Sequence, residues 1–157
     1  MRFGRNTWII LSGLWLAGTG WSTPTQAQER WRYSSDGSEV SDLRTGLTWR
    51  RCSEGQSWTG GNCVASAIGL THEQALALAK TQAGWRLPNI KELASIVDLR
   101  QSNPAIDGVV FPSTPADFFW SSTPVTGPGG YARGIYFSAG EVYPYLRINS
   151  SRVRLVR

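Results

Sequence analysis

The sequence of 157 residues contains few side chains that bind transition metals, with one histidine, two cysteines and one methionine. A zinc site usually takes three or four ligands from histidine and cysteine, so zinc and iron–sulfur chemistry is excluded and no cofactor is expected. Lysine is also scarce, so most of the positive charge comes from arginine. Charged residues make up 17% of the chain and hydrophobic residues 41%, which indicates a globular domain rather than a disordered one.

The first 27 residues have the pattern of an export signal. Arg2 and Arg5 give a positive start, an apolar run covers residues 8–17, and Thr25-Gln26-Ala27 is typical of a cleavage site. A membrane anchor is the alternative, but the apolar run is shorter than the roughly 20 residues that span a bilayer. We therefore expect a signal peptide over residues 1–27 and one mature domain over residues 28–157. The product is expected to be periplasmic or secreted, with no stable membrane insertion.

The two cysteines, Cys52 and Cys63, are expected to form a disulfide, because exported proteins fold in an oxidising compartment. A pair of free thiols is the alternative. The bridge would close the glycine-rich segment 53–62 and stabilise the fold by roughly 2–3 kcal/mol.

Two capping-box patterns predict two helices. Thr71 precedes Gln74 by three residues, and Asn89 stands in the same relation to Glu92. In each pair the two residues can satisfy each other's backbone N–H groups at a helix start. After the second cap, apolar residues recur at helical spacing and predict one buried face, formed by Ile90, Leu93, Ala94 and Val97.

Short strands are predicted on both sides of the helices. Alternating residues between polar turns predict a hairpin within residues 33–51. The end of the chain predicts an antiparallel meander of three strands, 132–137, 141–148 and 152–157. Proline and glycine are frequent between residues 101 and 131, which predicts long loops without long regular elements. The expected fold class is therefore α+β, as a single domain with long loops.

Several motifs occur along the chain in one order: Val40-Ser41-Asp42, Thr45-Gly46-Leu47-Thr48-Trp49, the pair Cys52 and Cys63, the run from Gly84 to Leu93, Phe111-Pro112, Phe119-Trp120-Ser121-Ser122, and Val153-Arg154-Leu155-Val156-Arg157. Together they resemble the C-terminal domain family of the Legionella collagen-like adhesin (Lcl), a family described mainly as a domain of unknown function. The likeness covers residues 33–157.

Arg86-Leu87-Pro88 at a helix start and the arginine-rich last strand are also similar to C-type-lectin-like and formylglycine-generating-enzyme architectures. The resemblance implies a compact C-type-lectin-like domain in which the first and last strands pair. The catalytic cysteines of the enzyme group have no counterpart, and the sugar-binding motifs of calcium-dependent lectins are absent from the sequence.

The sequence favours binding over catalysis, and no catalytic residue is assigned. A Ser/His/acid triad would need His72, the only histidine, which is expected at the surface of a helix start, and no Gly-x-Ser-x-Gly motif occurs. A glycosidase needs two facing carboxylates. Spacing singles out no pair among the candidate acids, which are Glu92, Asp98, Asp107, Asp117 and Glu141. An enzyme acting on glycans remains an alternative.

Arginines near the C-terminus are the main candidate ligand-binding residues: Arg133, Arg147, Arg152, Arg154 and Arg157. On a strand, Arg152 and Arg154 point to one face, so a basic sheet face is expected. Guanidinium groups suit sulfate and carboxylate, which predicts an anionic polysaccharide as the partner. The alternative interpretation is a solvated or internally paired face. The Lcl resemblance implies binding of sulfated glycosaminoglycans by a trimeric domain, which makes a homotrimer a further expectation.

Aromatic residues supply further candidates. Trp58 in the disulfide-closed loop, with Tyr143 and Tyr145, is expected to be exposed and to stack on sugar rings. Three tryptophans are expected in the core, namely Trp49, Trp85 and Trp120. Arg86 is expected to form an internal clamp that donates hydrogen bonds to carbonyls or to a carboxylate.

Two other partner classes bear on the function. A periplasmic protein–protein interaction module that uses the proline- and glycine-rich middle is the alternative. Without Arg2 and Arg5, 14 basic residues remain against 11 acidic ones, a net charge of +3. With no basic helix or aromatic-basic binding motif, this small excess does not fit nucleic acid.

Overall fold

The computed structural model describes residues 29–127 and 129–157, together with Met1. The elements in chain order are β1 Trp31–Tyr33, β2 Glu39–Asp42, β3 Leu47–Arg50, β4 Ser57–Trp58, β5 Cys63–Val64, α1 His72–Thr81, α2 Ile90–Ser95, β6 Phe118–Pro124, β7 Tyr131–Tyr136 and β8 Glu141–Leu146. The prediction of two helices with short antiparallel strands is confirmed. Apart from Met1, the predicted signal peptide and its cleavage position after Ala27 lie outside the described residues.

The first three strands form an antiparallel sheet in the order β1-β2-β3. Val40 of β2 stands directly opposite Trp49 of β3, and both side chains are fully buried. The residues that flank Val40 and Trp49 along their own strands are partly accessible, because successive side chains of a strand point to opposite faces. The hairpin predicted within residues 33–51 is therefore confirmed.

Both helices begin at the predicted capping boxes. The Thr71 hydroxyl accepts from the Gln74 N–H at 3.3 Å, and the Asn89 side chain accepts from the Glu92 N–H at 2.9 Å. The second helix has only six residues, so its buried face differs from the prediction. Ala94 is exposed, and Ile96, which follows the helix, is buried with Leu93.

A second antiparallel sheet has the order β6-β7-β8. Its strand β6 has seven residues and lies in the stretch where proline and glycine were expected to prevent long regular elements. That expectation is wrong for this part, because Pro124 stands at the last position of the strand, where a missing N–H costs least. The preceding run Phe118-Phe119-Trp120 is buried.

The last residues do not extend the β7-β8 hairpin as predicted. Segment 151–157 instead lies between the two sheets. At one end Thr48 and Arg157 exchange both backbone hydrogen bonds, at 2.8 and 2.9 Å, and at the other the Trp120 N–H donates to Arg152 at 3.0 Å. The third strand of the C-terminal meander is therefore β6, and the end of the chain joins the two sheets.

Apolar side chains form two clusters on either side of this segment. Trp49, Phe119 and Val156 belong to the first, and Trp120 and Leu155 to the second, which lies under α1. Because Val156 and Leu155 point in opposite directions, one short segment contributes to both clusters.

The predicted disulfide between Cys52 and Cys63 is present. It lies next to the two-stranded β4-β5 sheet, in which Trp58 stands opposite Cys63. None of the helices in residues 29–127 and 129–157 is long and apolar enough to cross a membrane.

Candidate functional site

Arg154 lies in the core rather than on an exposed basic face. Its guanidinium is fully buried and donates hydrogen bonds to four oxygens: the carbonyls of Arg50 and Arg51 and the hydroxyls of Ser53 and Thr114. Burial lowers the pKa of Arg154 to about 9, so the group stays charged at neutral pH. The expectation that Arg154 shares a solvent face with Arg152 is wrong, because the neighbourhood of residue 154 is covered on both faces while Arg152 stays partly exposed.

Three of the other predicted arginines have carboxylate partners. Arg147 pairs with Glu73 at 3.0 Å, Arg152 with Asp117 at 2.8 Å, and Arg157 with Glu39 at 2.6 Å, as three separate contacts. Within the described part of the chain these arginines do not form one basic surface.

Arg133 is exposed but lies apart from the others. It stands opposite Pro144, on the face of the β7-β8 hairpin that points away from Tyr145. No carboxylate in the described ranges lies within ion-pair distance of it. Arg133 is therefore a suitable control position for experiments on the other arginines.

Part of the excess of positive charge is internal. Residues 29–157 hold 14 basic and 11 acidic residues. Two of the arginines without a described carboxylate partner, Arg51 and Arg154, are 8% and 0% exposed. Setting these two and the buried Asp42 aside leaves 12 basic and 10 acidic residues, which reduces the surface excess from three charges to two. The internally paired interpretation therefore describes this sheet better than a basic face does.

Trp58 is held by its neighbours rather than freely exposed. The Arg51 guanidinium lies 4.2 Å from the centroid of its ring, and its indole N–H donates to the Asp36 carbonyl at 2.8 Å. One ring face is therefore occupied, and the expectation of a freely exposed platform is wrong for Trp58. Tyr143, in contrast, is 49% exposed, as expected.

Tyr145 and Arg152 line one cleft of about 310 Å³. We name it the tyrosine cleft and define it by its lining residues, Gly69, Asp117, Phe118, Tyr136, Tyr145, Ser150, Ser151 and Arg152. The sheet β6-β7-β8 forms one wall, and the turn that leads into segment 151–157 forms the other. Of the predicted ligand-binding residues, only Tyr145 and Arg152 line this cleft.

The apolar part of the cleft consists of three aromatic rings. Phe118 lies 5.0 Å from Tyr136 and 4.8 Å from Tyr145, measured between ring centroids. Sheet register places these side chains on one face, because Phe118 stands opposite Tyr136 and Tyr145 opposite Ala132. Burial raises the pKa of Tyr136, and the neighbouring Tyr145 hydroxyl adds to the shift. The Tyr136 hydroxyl is therefore a neutral hydrogen-bonding group.

The polar part is the ion pair between Arg152 and Asp117. The Arg152 Nε donates to Asp117 at 2.8 Å, and Nη1 donates to the Ala67 carbonyl. The Arg152 Nη2 has no hydrogen-bond partner among the described residues. The side chains of Arg152 and Asp117 are 31% and 50% exposed, so both remain accessible to a ligand. Ser150 adds an exposed residue at the rim.

His72 is buried, and the expectation of a surface histidine is wrong. It is 1% exposed, and its Nε2 lies 2.9 Å from the Ser121 carbonyl. Its Nδ1 accepts from the Arg147 Nε at 3.1 Å, so Nε2 carries the ring proton and donates to Ser121. Burial lowers the pKa of His72, and the charge of Arg147 lowers it further. The ring is therefore neutral at neutral pH.

Other predicted roles agree with the structure fully for two tryptophans and in part for Trp85 and Arg86. Trp49 and Trp120 are fully buried, and Trp85 is partly buried between neighbouring side chains. Arg86 donates two hydrogen bonds of 2.7 Å to Glu92, but its side chain is 49% exposed, so this clamp lies at the surface rather than inside the domain.

The candidate acids are engaged in local contacts. Glu92 caps α2, Asp98 pairs with Arg100 at 2.8 Å, and Asp107 accepts the Val109 N–H at 2.9 Å. Among the described residues, no group of three or more histidine, cysteine, aspartate or glutamate side chains is placed to hold a metal ion.

The sequence prediction missed Tyr136, Asp117 and Ser150 as cleft residues. Tyr136 could have been found, because the turn predicted at residues 138–140 sets the register of β7 against β8 and places Tyr136 on the same face as Tyr145. Asp117 could not, because it precedes a strand that was not predicted.

A family model described as the Lcl C-terminal domain matches residues 38–157. This range includes both helices, the strands from β2 to β8 and every residue that defines the tyrosine cleft. Comparisons with curated proteins and with solved structures found no match.

Proposed function

Because the chain belongs to the Lcl C-terminal domain family, we propose that it is an exported, non-catalytic domain that binds a polysaccharide in the tyrosine cleft. The observation that carries the proposal is the meeting of three aromatic rings with the Arg152–Asp117 pair in one cleft. A sugar ring has apolar C–H faces and hydroxyl groups at its edge. Aromatic rings suit the former, and planar guanidinium and carboxylate groups suit the latter.

The polysaccharide that fits best carries carboxylate or sulfate groups. The free Nη2 of Arg152 offers a charge-assisted hydrogen bond to such a group. Because the surface holds little excess charge, the single guanidinium of Arg152, rather than a broad basic face, would supply the electrostatic attraction. Binding should therefore weaken only moderately as salt increases.

A non-catalytic role is supported by the composition of the cleft. Asp117 is its only carboxylate, and it is already paired with Arg152. Glycoside cleavage requires two carboxylates at opposite sides of the bond. The cleft therefore offers contacts for holding a sugar but no acid pair for cutting one.

The export and lectin-like parts of the proposal have separate support. The Cys52–Cys63 disulfide fits an oxidising compartment, either the periplasm or the outside of the cell. The pairing of β3 with the last residues of the chain fits the C-type-lectin-like architecture, in which early and late strands pair.

A protein–protein interaction module is the second candidate. It is favoured by Leu99 and Val109, which lie in the irregular middle of the chain and are each 78% exposed. Exposed apolar residues of this kind can belong to a protein contact surface. A periplasmic partner protein would then bind the middle segment and would not contact the tyrosine cleft.

Replacing Arg152 with glutamine is expected to weaken binding of acidic oligosaccharides about tenfold, because a charge-assisted hydrogen bond is lost. The matched control is Arg133→Gln, which removes the same charge from the opposite face of the sheet and should change affinity less than about twofold. Calorimetric titration with heparin fragments and with uronate oligosaccharides measures both. Equal losses in the two variants would contradict a specific site, and capture of a periplasmic protein by both variants would favour the second candidate.

Replacing Asp117 with asparagine is expected to strengthen binding of acidic oligosaccharides by about threefold to tenfold. The reason is that the change removes the carboxylate that competes with the ligand for the Arg152 guanidinium. Affinity for neutral oligosaccharides of equal length should not rise. Glu29→Gln removes one exposed acid outside the cleft and serves as the control for net charge. If Glu29→Gln produces the same gain, long-range attraction rather than the cleft explains the binding.

A further inference from the structure

We propose that the contact between His72 and Arg147 makes the tyrosine cleft sensitive to acid, because protonation of His72 releases the turn that forms one wall of the cleft. The inference rests on the proposed function in that it concerns the same cleft. The structural part of the inference concerns only the turn after β8 and its contact with His72, so it can be tested without a ligand.

The ring of His72 fills a fixed position between three elements. It begins α1, its Nε2 donates to the carbonyl of Ser121 in β6, and its Nδ1 accepts from Arg147 just after β8. The ring also packs edge-on against Trp120, with centroids 5.1 Å apart. Both ring nitrogens are therefore used, and Nδ1 can serve only as an acceptor.

Protonation of His72 turns its attractive contact with Arg147 into a repulsive one. A proton on Nδ1 would point at the Nε–H of Arg147, so a donor would face a donor and two positive charges would lie about 3 Å apart. The side chain of Arg147 would have to move away, or the ring would have to leave its site.

The charged groups around His72 do not cancel this repulsion. Arg147 is the cation that faces the ring, and Glu73 of α1 is the acid that lies near both. The Glu73 side chain is 71% exposed, so water screens its attraction strongly. Among the described residues of β6, the ring contacts the neutral indole of Trp120 and the carbonyl of Ser121.

Arg147 also anchors the turn by its backbone. The His72 N–H donates to the Arg147 carbonyl at 2.9 Å, and the Arg147 N–H donates to Gly130 at 2.7 Å. Ser150, Ser151 and Arg152 follow three to five residues later and line the tyrosine cleft. Displacement of Arg147 therefore loosens the wall that carries Arg152.

The direction of the pH effect follows from the lowered pKa of His72. The unfolded chain takes up a proton near the ordinary value of about 6.5, while the folded chain takes it up only at lower pH. The stability that the neutral ring contributes is thus fully present above about pH 6.5 and declines below it, and the contacts themselves are lost as the pH falls through the lowered pKa of the folded state. The wall of the cleft should be ordered at neutral pH and loosened in acid.

The test compares amide hydrogen exchange of residues 147–152 at about pH 7.5 and about pH 5, corrected for the intrinsic exchange rate. Wild type should lose protection in acid by about tenfold, while His72→Gln, which keeps an N–H donor but cannot gain a proton, should change less than about twofold. A second variant, Arg147→Met, removes the facing charge and should reduce the acid effect in the same way if the glutamine variant does not fold.

Two outcomes overturn the inference. One is the absence of an acid effect in wild type, and the other is an equal effect in wild type and in both variants. Heparin-fragment affinity measured at the two pH values tests the link to the proposed function. If the turn loosens in acid while the affinity stays constant, the acid response of the turn stands, and the assignment of the ligand to the tyrosine cleft fails.

Discussion

Replacing Arg154 with methionine is expected to lower the free energy of unfolding by about 3–5 kcal/mol, although the residue makes no ion pair among the described residues. The change leaves two backbone carbonyls and two hydroxyls of the core without their donor. Each buried acceptor that loses its partner costs about 1–3 kcal/mol. Methionine also removes a buried charge, which offsets part of this loss, and it cannot reproduce the planar contact of the guanidinium with the rings of Phe111 and Phe119.

Urea denaturation of the two proteins measures this difference, and Arg133→Met is the matched control. Arg133 is exposed, so its replacement should change the unfolding free energy by less than about 0.5 kcal/mol. A loss for Arg154→Met no greater than that of the control would contradict the assignment of Arg154 as the central donor of the core.

Replacing Gly134 with alanine is expected to cost about 3 kcal/mol or to prevent folding, because the second sheet has no room for the added methyl group. A Cβ atom at this position would overlap the backbone carbonyl of Phe119 and the ring of Phe118. Neither can move freely, since Phe119 is held in the sheet and Phe118 is buried beneath Tyr136 and Tyr145. Strands β6 and β7 would have to separate.

Thermal and urea denaturation of Gly134→Ala, compared with Gly108→Ala, test this expectation. A Cβ at Gly108 meets no atom within 4 Å, so this control adds the same methyl group where space is open. A similar stability of the two variants would show that the sheet can absorb the methyl group. Near-ultraviolet circular dichroism of the aromatic residues should report any shift of the cleft tyrosines in a variant that folds.

Local signals in the sequence predicted the elements that local contacts determine. Each capping box joins residues three positions apart, so Thr71 and Asn89 could be identified without knowledge of the tertiary structure. The disulfide followed from the compartment and from the presence of only two cysteines. The hairpin within residues 33–51 followed from alternation between turns.

The position of segment 151–157 could not be predicted in this way. Arginine alternates with valine and leucine in this segment, and the same alternation is expected for a strand with one solvent-exposed face and for a strand with a buried guanidinium. What decides between them is a set of carbonyl acceptors near residue 50, more than one hundred positions earlier. No local pattern contains that information.

The candidate site was predicted in part for the same reason. Tyr145 lies on a hairpin whose register depends on a nearby turn, and Arg152 could be named from its residue type alone. The carboxylate of Asp117 determines how much charge Arg152 presents, and it comes from a segment 35 positions away. Sequence identified the cations, but only the fold showed which of them are neutralised.

The place of segment 151–157 also has a consequence for the folding pathway. Its backbone bonds join residues 48 and 50 to residues 157 and 155, so the two sheets can be connected only after a large loop has closed. Contacts of such high sequence separation slow folding, because the entropy of closure is lost before the contacts form. The β1-β2-β3 hairpins and the disulfide loop can form early and alone. We therefore expect the docking of the last seven residues to be the slow, late step that creates the core.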